Sequence, residues 1–409
     1  MDFELRPITR DELPAFVRTD LTAFGEGPPD PARLELEWTS LELDRTLAAF
    51  DRGEIVGTGR LFSFELTLPG LATIPVAAVS WIAVLPTHRR RGILSAIKRR
   101  QLEDAAARGE SMAVLLASEG LIYRRFGYGV ATMWMTVELD RRHSAFLHPV
   151  TAGGRVRLVD EDAARKVLPD VFDRARRLQP GAVQRVDAWW PDQLFWREAD
   201  ERGARFVAVY EAPGGTLDGY VVYRVDRRWD HFGRNTLVVE DLVSVSPGAR
   251  AVLWRFVCDV DLIETIRVLG MPVDDPLRWL LVDSRRLRVT RLADALWVRI
   301  LDSETALELR GYAASGRLVL DVHDEFRPDG DAAGRFALDA GPDGATATRT
   351  TSEADLVLDI ADLGAAYLGG VTFSSLARAG LVEERTPGAL ARADAMFHCE
   401  PQPYAMTWF

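Results

Sequence analysis

A basic, glycine-bearing segment follows an apolar stretch in the first quarter of the chain. The apolar stretch ends with Ile82, Ala83 and Val84, and residues 86–95 read Pro-Thr-His-Arg-Arg-Arg-Gly-Ile-Leu-Ser. A strand that turns through such a loop into a helix points several backbone N–H groups at one spot, where the helix dipole also favours an anion. The arginines add charge partners for phosphate oxygens. The segment therefore predicts a diphosphate site that matches neither the Walker loop nor the Rossmann glycine motif.

Three adjacent arginines could instead form a solvated run at a helix start, because basic clusters are weakly specific. The apolar strand before them favours the binding site, since a strand is needed to deliver such a loop. A second segment, residues 118–129, follows the next predicted strand and should lie beside the loop at the open edge of a parallel pair. The residues expected to form the site are Ile82, Ala83, Val84, Arg89, Arg90, Arg91, Gly92, Ile93, Leu94, Ser95, Ser118 and Glu119.

The elements around these segments predict an α/β unit. We expect strands at 78–84 and 112–117 with a long basic helix at 88–107 between them, which makes a βαβ unit. After a break near residues 148–154, a similar order of elements recurs, but no arginine–glycine loop follows the strand at 237–245. This section is interpreted as a degenerate copy that supports the first, and the rest of the chain as an α+β domain. The expected domains are 1–150, 151–286 and 287–409.

The composition argues against several classes of protein. The 409 residues carry a formal charge of −11, which argues against nucleic-acid binding and suits a cationic substrate better. Only Cys258 and Cys399 occur, and no Cys/His spacing suggests a metal site, so we expect neither a disulfide framework nor a metal. No stretch approaches about 18 apolar residues. We expect a cytoplasmic protein without a membrane partner.

Two motifs carry a family resemblance. The segment Ser-Glu-Gly-x-Ile-Tyr-x-Arg-Phe-Gly-Tyr-Gly, together with Ala-Val-x-Pro-Thr-His-Arg-Arg-Arg-Gly, resembles the enhanced intracellular survival (Eis) family of GNAT N-acetyltransferases. The resemblance extends over the whole chain, although Leu94 stands where the family loop has Gly or Ala. It implies a GNAT domain, a GNAT-like domain without cofactor, a sterol-carrier-like third domain and a homohexamer. It also implies acetyl-CoA as cosubstrate and, as acceptors, amines of aminoglycosides or lysine side chains of proteins.

The resemblance also implies roles for particular residues. Tyr123 matches the family's proton donor, and a phenol with an ordinary pKa of about 10 can hand a proton to a thiolate. The family's base is the terminal carboxylate, here that of Phe409. It could act as a base through burial, which would raise its pKa, or through a water relay, and otherwise it serves mainly to bind the ammonium. Phe24, Glu26 and Trp38 match the acceptor pocket, where an acid and aromatic rings suit a cationic amine.

Each of these roles has a plainer alternative. Tyr123, Phe24 and Trp38 could be packed core aromatics, and a terminal carboxylate is usually a frayed, solvated end. At the level of the whole chain, the competing hypothesis is a non-catalytic protein whose third domain binds an apolar ligand and whose acetyltransferase site is vestigial. The intact loop, Tyr123 and Phe409 favour the enzyme.

Overall fold

The structure, a computed structural model, describes residues 3–29, 31–195, 204–227 and 234–409. The described strands are β1 (Glu4–Pro7), β2 (Thr46–Asp51), β3 (Glu54–Thr67), β4 (Thr73–Val84), β5 (Met112–Leu116), β6 (Gly129–Val130), β7 (Met133–Asp140), β8 (Arg155–Val159), β9 (Arg205–Glu211), β10 (Leu217–Asp226), β11 (Asn235–Ser244), β12 (Ile263–Pro272), β13 (Leu287–Asp294), β14 (Leu296–Ile300), β15 (Gly316–His323), β16 (Gly334–Gly341), β17 (Gly344–Arg349), β18 (Leu356–Asp359) and β19 (Val382–Glu384).

The described α-helices connect these strands and cover the sheets. They are α1 (Leu13–Phe24), α2 (Pro31–Thr39), α3 (Ile93–Ala107), α4 (Gly120–Tyr123), α5 (Glu161–Arg176), α6 (Pro247–Asp259), α7 (Leu277–Leu280), α8 (Ser303–Leu309), α9 (Ile360–Tyr367), α10 (Phe373–Arg378) and α11 (Ala389–Phe397). Among the described residues, no helix combines the length and the apolar character needed to cross a membrane.

Three sheets organise the molecule. The first has the strand order β1-β2-β3-β4-β5-β14-β6, the second β13-β7-β12-β11-β10-β9-β8 and the third β17-β16-β15-β18-β19. Each contains one parallel pair, which is β4 with β5, β11 with β12 and β15 with β18. In the first two sheets a helix, α3 or α6, connects the parallel strands, as such a crossover requires.

Three strands, β7, β13 and β14, pair across the boundaries that the sequence suggests at residues 150 and 286. β7 precedes the first boundary but pairs with β12 and β13 in the second sheet. β14 follows the second boundary but pairs with β5 and β6 in the first sheet. The first sheet therefore contains β14 from beyond residue 286, and the second sheet contains β7 from before residue 151 and β13 from beyond residue 286.

The largest apolar cluster joins the first sheet to the third. Side chains of β3 and β4, such as Leu66 and Val76, pack in it with β14 and with α9. At the closest point Gly129 faces the backbone of α9, where a Cβ would lie 1.8 Å from the Ala361 carbonyl oxygen. Only glycine leaves room for this approach, so the third domain is seated directly on the first sheet.

Candidate active site

The site begins where β4 and β5 separate. These strands pair in parallel from Ala77↔Ala113 to Val79↔Leu115. Just beyond, β4 is irregular in its pairing with β3, and Trp81 adopts a left-handed conformation with φ 53°. A positive φ outside glycine is uncommon and persists only where the surroundings hold it, and a bulge redirects the side chains of its strand. The end of β4 thus turns away from β5 and opens a cleft.

The loop after β4 brings the start of α3 to this opening. Arg90 (φ 63°) and Gly92 (φ 81°) both have left-handed backbones, so the chain turns sharply before the helix. Gly92 is the N-cap, and its carbonyl accepts the first helical hydrogen bond from the Ala96 N–H at 3.0 Å. The N–H groups of the first turn have no partner within the helix. They point to a position where the helix dipole favours an anion.

Two glycines of β3 set the position of α3. A Cβ on Gly57 would lie 2.8 Å from Ile93 Cγ2, and a Cβ on Gly59 would lie 2.5 Å from Ile97 Cγ2. Both isoleucines are buried. Because only bare backbone admits the helix at this distance, the glycines hold the start of α3 close against the sheet.

A cleft of about 400 Å³ lies between the end of β4, the loop and the segment after β5. Eleven of the twelve residues expected from the sequence line it, namely Ile82, Ala83, Val84, Arg89, Arg90, Gly92, Ile93, Leu94, Ser95, Ser118 and Glu119. Arg91 is the exception, because its guanidinium faces Asp51 at 2.8 Å. The left-handed turn at Arg90 directs the successive arginines to different sides, which spacing along the sequence does not reveal. We call this cavity the cofactor cleft.

The groups that line the cofactor cleft suit a diphosphate joined to an uncharged chain. Arg89 and Arg90 lie on the loop side, and Arg125 contributes a third guanidinium from the opposite wall. Guanidinium groups and helical N–H groups are the usual ligands of phosphate oxygens. Ile122 and Leu94 make the remainder apolar and are packed against the core beneath. Leu94, which stands where the family loop has Gly or Ala, thus lines the cleft.

Tyr123 lies where the cofactor cleft meets a second cavity. The residue ends α4 and lines both cavities, although only 5% of its surface is exposed. Burial, with smaller contributions from the charges of Glu119 and Asp20, raises the pKa of its phenol to about 12. The phenol therefore keeps its proton at neutral pH and can act as a donor.

Tyr128, the other tyrosine of the same segment, faces the interior. It is fully buried, and Lys98 Nζ donates a hydrogen bond to its hydroxyl at 2.9 Å. Burial raises the pKa of this phenol and lowers the pKa of Lys98 well below its usual value. Tyr128 also packs edge-on against Tyr123, with ring centroids 6.0 Å apart. It supports Tyr123 from behind and lines neither cavity.

The second cavity has a volume of about 320 Å³, and we call it the acceptor cavity. Phe24 and Glu26 line it, as expected from the sequence. Trp38 does not, because its ring packs in the apolar cluster around α1 and stacks with Arg10, whose guanidinium carbon lies 4.8 Å from the ring centroid. The remaining lining residues are Asp20, Leu21, Arg33, Glu37, Ser40, Phe62, Phe64, Val79, Ser80, Trp81, Ile82, Leu116, Ser118, Tyr123, Val186, Ala188, Trp189, Trp408 and Phe409.

Asp20 lines the acceptor cavity but is not among the site residues expected from the sequence. It is 6% exposed, and the Thr58 hydroxyl donates a hydrogen bond to its carboxylate at 3.2 Å. Burial raises the pKa of this carboxyl to about 7, while the hydrogen bond from Thr58 and the charge of Arg33 partly oppose the shift. A signal was present, since Asp20 interrupts the buried stripe of α1 that contains Phe16, Val17 and Leu21.

The last residues of the chain reach the acceptor cavity. The Phe409 ring packs edge-on against Phe64 of β3, with centroids 5.6 Å apart. Phe409 and Tyr123 line the same cavity, so the structure brings together the two residues to which the resemblance assigns proton transfer. Trp189 and Trp408 extend the aromatic wall beside them.

Family comparisons agree with this geometry. Residues 4–131 and 181–300 each match a model of the acetyltransferase (GNAT) domain, and residues 303–406 match a sterol carrier protein domain. The chain is thus an enzyme of the GNAT N-acetyltransferase class. The GNAT fold implies acetyl-CoA as cosubstrate. The predicted order of two α/β domains and a sterol-carrier-like α+β domain is confirmed.

Individual relatives define the family more narrowly. An N-acetyltransferase of Streptomyces avermitilis is 39% identical and covers 100% of this chain and 99% of its own. N-acetyltransferase Eis of Mycobacterium tuberculosis is 37% identical over 84% of this chain and 83% of its own. The crystal structure of Eis1 from Mycobacterium abscessus has a TM-score of 0.90 at 38% identity, covering 99% of this chain and 100% of that one. The chain belongs to the Eis family of N-acetyltransferases, which confirms the resemblance seen in the sequence.

Proposed function

We propose that the protein transfers an acetyl group from acetyl-CoA to an amine of a small polycation of the aminoglycoside kind. One observation carries the proposal: the cofactor cleft and the acceptor cavity share the lining residues Phe24, Ile82, Ser118 and Tyr123. A ligand held by its diphosphate at the start of α3 can therefore extend to an amine held in the acceptor cavity. The proton donor Tyr123 lies at the junction between the two.

The chain's own residues account for the proton movements of this reaction. Acetyl-CoA supplies the acetyl group as a thioester. The α-carboxylate of Phe409 accepts a proton from the acceptor's ammonium, which frees the nitrogen lone pair for attack on the carbonyl carbon. A backbone N–H at the end of β4 stabilises the negative charge on the carbonyl oxygen. When the carbon–sulfur bond breaks, the Tyr123 hydroxyl donates its proton to the thiolate sulfur. The nitrogen, which then carries one proton more than the amide product, gives that proton to the Tyr123 phenolate.

The acceptor cavity supports a cationic amine as acceptor. Asp20, Glu26 and Glu37 bring carboxyl groups to it. Glu37 is paired with Arg60 at 2.8 Å and Glu26 with Arg33 at 3.7 Å, so Asp20 and the outer face of Glu26 are the acids nearest to an incoming ligand. Trp81 and Trp189 add aromatic faces, which attract cations. The overall charge of −11 favours approach of the same ligands. A lysine side chain of a peptide or protein is the second acceptor class, because it presents the same ammonium on a flexible chain.

Thiol release from acetyl-CoA, measured against a panel of aminoglycosides, polyamines and lysine peptides, tests the proposal. We expect turnover with at least one polycation. Replacing Tyr123 with Phe should lower kcat by about 10²-fold or more and leave the calorimetric Kd for acetyl-CoA unchanged, because only the proton donor is removed. Full kcat in this variant would contradict the assigned role, and absence of acetyl-CoA binding by the parent would contradict the function.

The competing hypothesis of an apolar-ligand protein is tested in the same preparation. Stoichiometric lipid in an organic extract, together with no thiol release for any acceptor, would support it. In the third domain, α9 is buried along its whole length and its residues pack with those of the third sheet. The apolar side chains of this helix already contact protein, which argues against an apolar-ligand site there and favours the enzyme.

Assembly and location belong to this proposal as well. We propose a homohexamer, as the resemblance implies, in the cytoplasm, as the presence of only two cysteines favours. Large apolar side chains exposed on the subunit, among them Trp279 and Leu292, are available for contacts between copies. Light scattering of the purified protein measures the subunit number, and a monomer at working concentration would overturn the assembly.

A further inference from the structure

The second sheet repeats the strand separation that opens the cofactor cleft. β11 and β12 pair in parallel up to Val239↔Val268, as β4 and β5 do up to Val79↔Leu115. Beyond that pair, residues 240–244 and residues 269–272 diverge, and β12 is irregular around Gly270, which has φ 68°. We call the gap between these two stretches the second cleft.

The second cleft lacks the means to bind a diphosphate. The helix that follows β11 is capped by its own Ser246, whose side chain accepts a hydrogen bond from the Ala249 N–H. Pro247 at the first helical position has no N–H to offer. The nearby Arg250 pairs with Asp275. The groups that bind an anion at α3 are therefore absent or engaged at α6.

The C-terminal residues lie against the second cleft. A cavity of about 230 Å³ is lined by Glu240, Asp241, Leu269 and Gly270 on one side and by residues 404–408 on the other. The Tyr404 hydroxyl donates a hydrogen bond to the Gly270 carbonyl. Residues 404–408 thus occupy, at the second sheet, the position that the cofactor cleft occupies at the first.

A buried arginine connects this segment to β11. The guanidinium carbon of Arg185 lies 4.0 Å from the ring centroid of Phe172 and 3.9 Å from that of Trp189. One nitrogen donates to Asp241 of β11 at 2.7 Å, and another donates to the Met406 carbonyl at 2.6 Å. Charge-assisted hydrogen bonds of this length are among the stronger ones in proteins.

Two further hydrogen bonds fix the residues that precede Phe409. The Thr407 hydroxyl donates to the Val183 carbonyl at 2.6 Å, and Thr407 is buried. The Trp189 indole N–H donates to the Trp408 carbonyl at 2.6 Å. Chain ends fray unless they are tied down, and here successive residues are tied down by the second domain.

We propose that the second cleft is a binding site for the chain's own C-terminal segment, through which the second domain holds Phe409 in the acceptor cavity. Tyr404 and Thr407 are then positioning residues, since neither lines the cofactor cleft or the acceptor cavity. The effect on turnover rests on the proposed function, whereas the binding of the segment does not.

The double variant Tyr404→Phe, Thr407→Val tests the proposal. It removes two hydroxyl groups that hold the segment and preserves the shapes of the two side chains. We expect carboxypeptidase to release Phe409 at least about fivefold faster than from the parent. We expect kcat to fall about tenfold with the Kd for acetyl-CoA unchanged. After Phe409 is deleted from both, the double variant and the parent should have the same kcat. The two hydroxyl groups are expected to affect turnover only through the position of Phe409, so their loss adds nothing once Phe409 is gone.

Tyr312→Phe is the matched control. Its hydroxyl is also buried and donates to a backbone carbonyl, that of Leu307 at 2.7 Å, in the third domain, where its ring packs against Phe397. We expect its kcat and its rate of Phe409 release to remain within about twofold of the parent.

The two readouts separate the possible failures. Unchanged release of Phe409 from the double variant would overturn the binding site. Faster release with the parent's kcat, or losses that add to those of the Phe409 deletion, would overturn the positioning role. A parent without turnover would contradict the proposed function, while the release experiment would still decide whether the second cleft holds the segment.

Discussion

Asp20 contributes a pH-dependent cost to folding. Its pKa rises from the ordinary 3.8 to about 7 through burial, so the folded state binds this proton more tightly than the unfolded state does. Stability therefore falls as pH rises from about 4 to about 7 and is constant above that, as far as this group is concerned. The carboxyl is kept in the acceptor cavity despite that cost, as expected of a residue that meets a cationic ligand.

Asp20→Asn should remove this dependence, because the amide is neutral and its oxygen still accepts the hydrogen bond from Thr58. We expect the variant to gain on the order of 2–4 kcal/mol over the parent at pH 8 and to differ little at pH 4. Thermal unfolding of both proteins at the two pH values measures this gain. Glu26→Gln, at an exposed acid of the same cavity, is the control, and an equal gain at both pH values would contradict the account.

Contiguity in the sequence explains which residues of the site could be predicted. The loop residues of the cofactor cleft lie in one segment, and their function depends on a strand, a turn and a helix start that the local pattern reveals. Asp20, Trp81 and Trp189 come from separate segments that meet only in the folded chain. Trp38 is assigned to the acceptor pocket through the family resemblance, which does not tell which way α2 directs its ring.

At the scale of elements, the close contact of α3 with β3 links stability to cofactor binding. Gly59→Ala places a methyl group 2.5 Å from Ile97 Cγ2, so α3 must move outward. Overpacking of this kind typically costs about 1–3 kcal/mol. Because the start of α3 supplies the N–H groups of the cofactor cleft, the Kd for CoA should rise about tenfold. Thermal unfolding and calorimetry measure the two effects.

Gly214→Ala provides the comparison for this prediction, since a Cβ at Gly214 would meet nothing within 4 Å. It should change neither stability nor CoA affinity measurably. A Gly59→Ala variant as stable as the parent would show that α3 and β3 accommodate the added methyl group without cost. Unchanged affinity for CoA would show that binding does not depend on the position of α3.

Local patterns predicted the elements of the fold better than their partners. The expected strand at 112–117 and the helix at 88–107 correspond to β5 and α3, because periodicity and capping are local. The pairing of β7 in the second sheet and of β14 in the first is not visible in such local patterns. The alternation of a strand shows which of its faces is buried and does not show which sheet receives it.

At the scale of the whole molecule, lengthening the chain tests whether the carboxylate of Phe409 must lie in the acceptor cavity. Two residues added after Phe409 should lower kcat by about 10-fold to 100-fold, because they displace the terminal carboxylate by roughly 3.3–3.6 Å per residue. The Kd for acetyl-CoA should remain that of the parent. Thiol release by the extended protein measures the effect, with the same two residues added before Met1 as the control. An extended protein as active as the parent would remove the carboxylate from the mechanism.

The location of β14 also constrains how the protein is made. This strand lies between β5 and β6 in the first sheet, so that sheet cannot be completed until residue 300 has left the ribosome. Until then β5 has an unpaired edge, and edges of this kind invite pairing with other chains. During translation the first domain therefore exposes the β5 edge for as long as the ribosome takes to make the roughly 180 residues between β5 and β14.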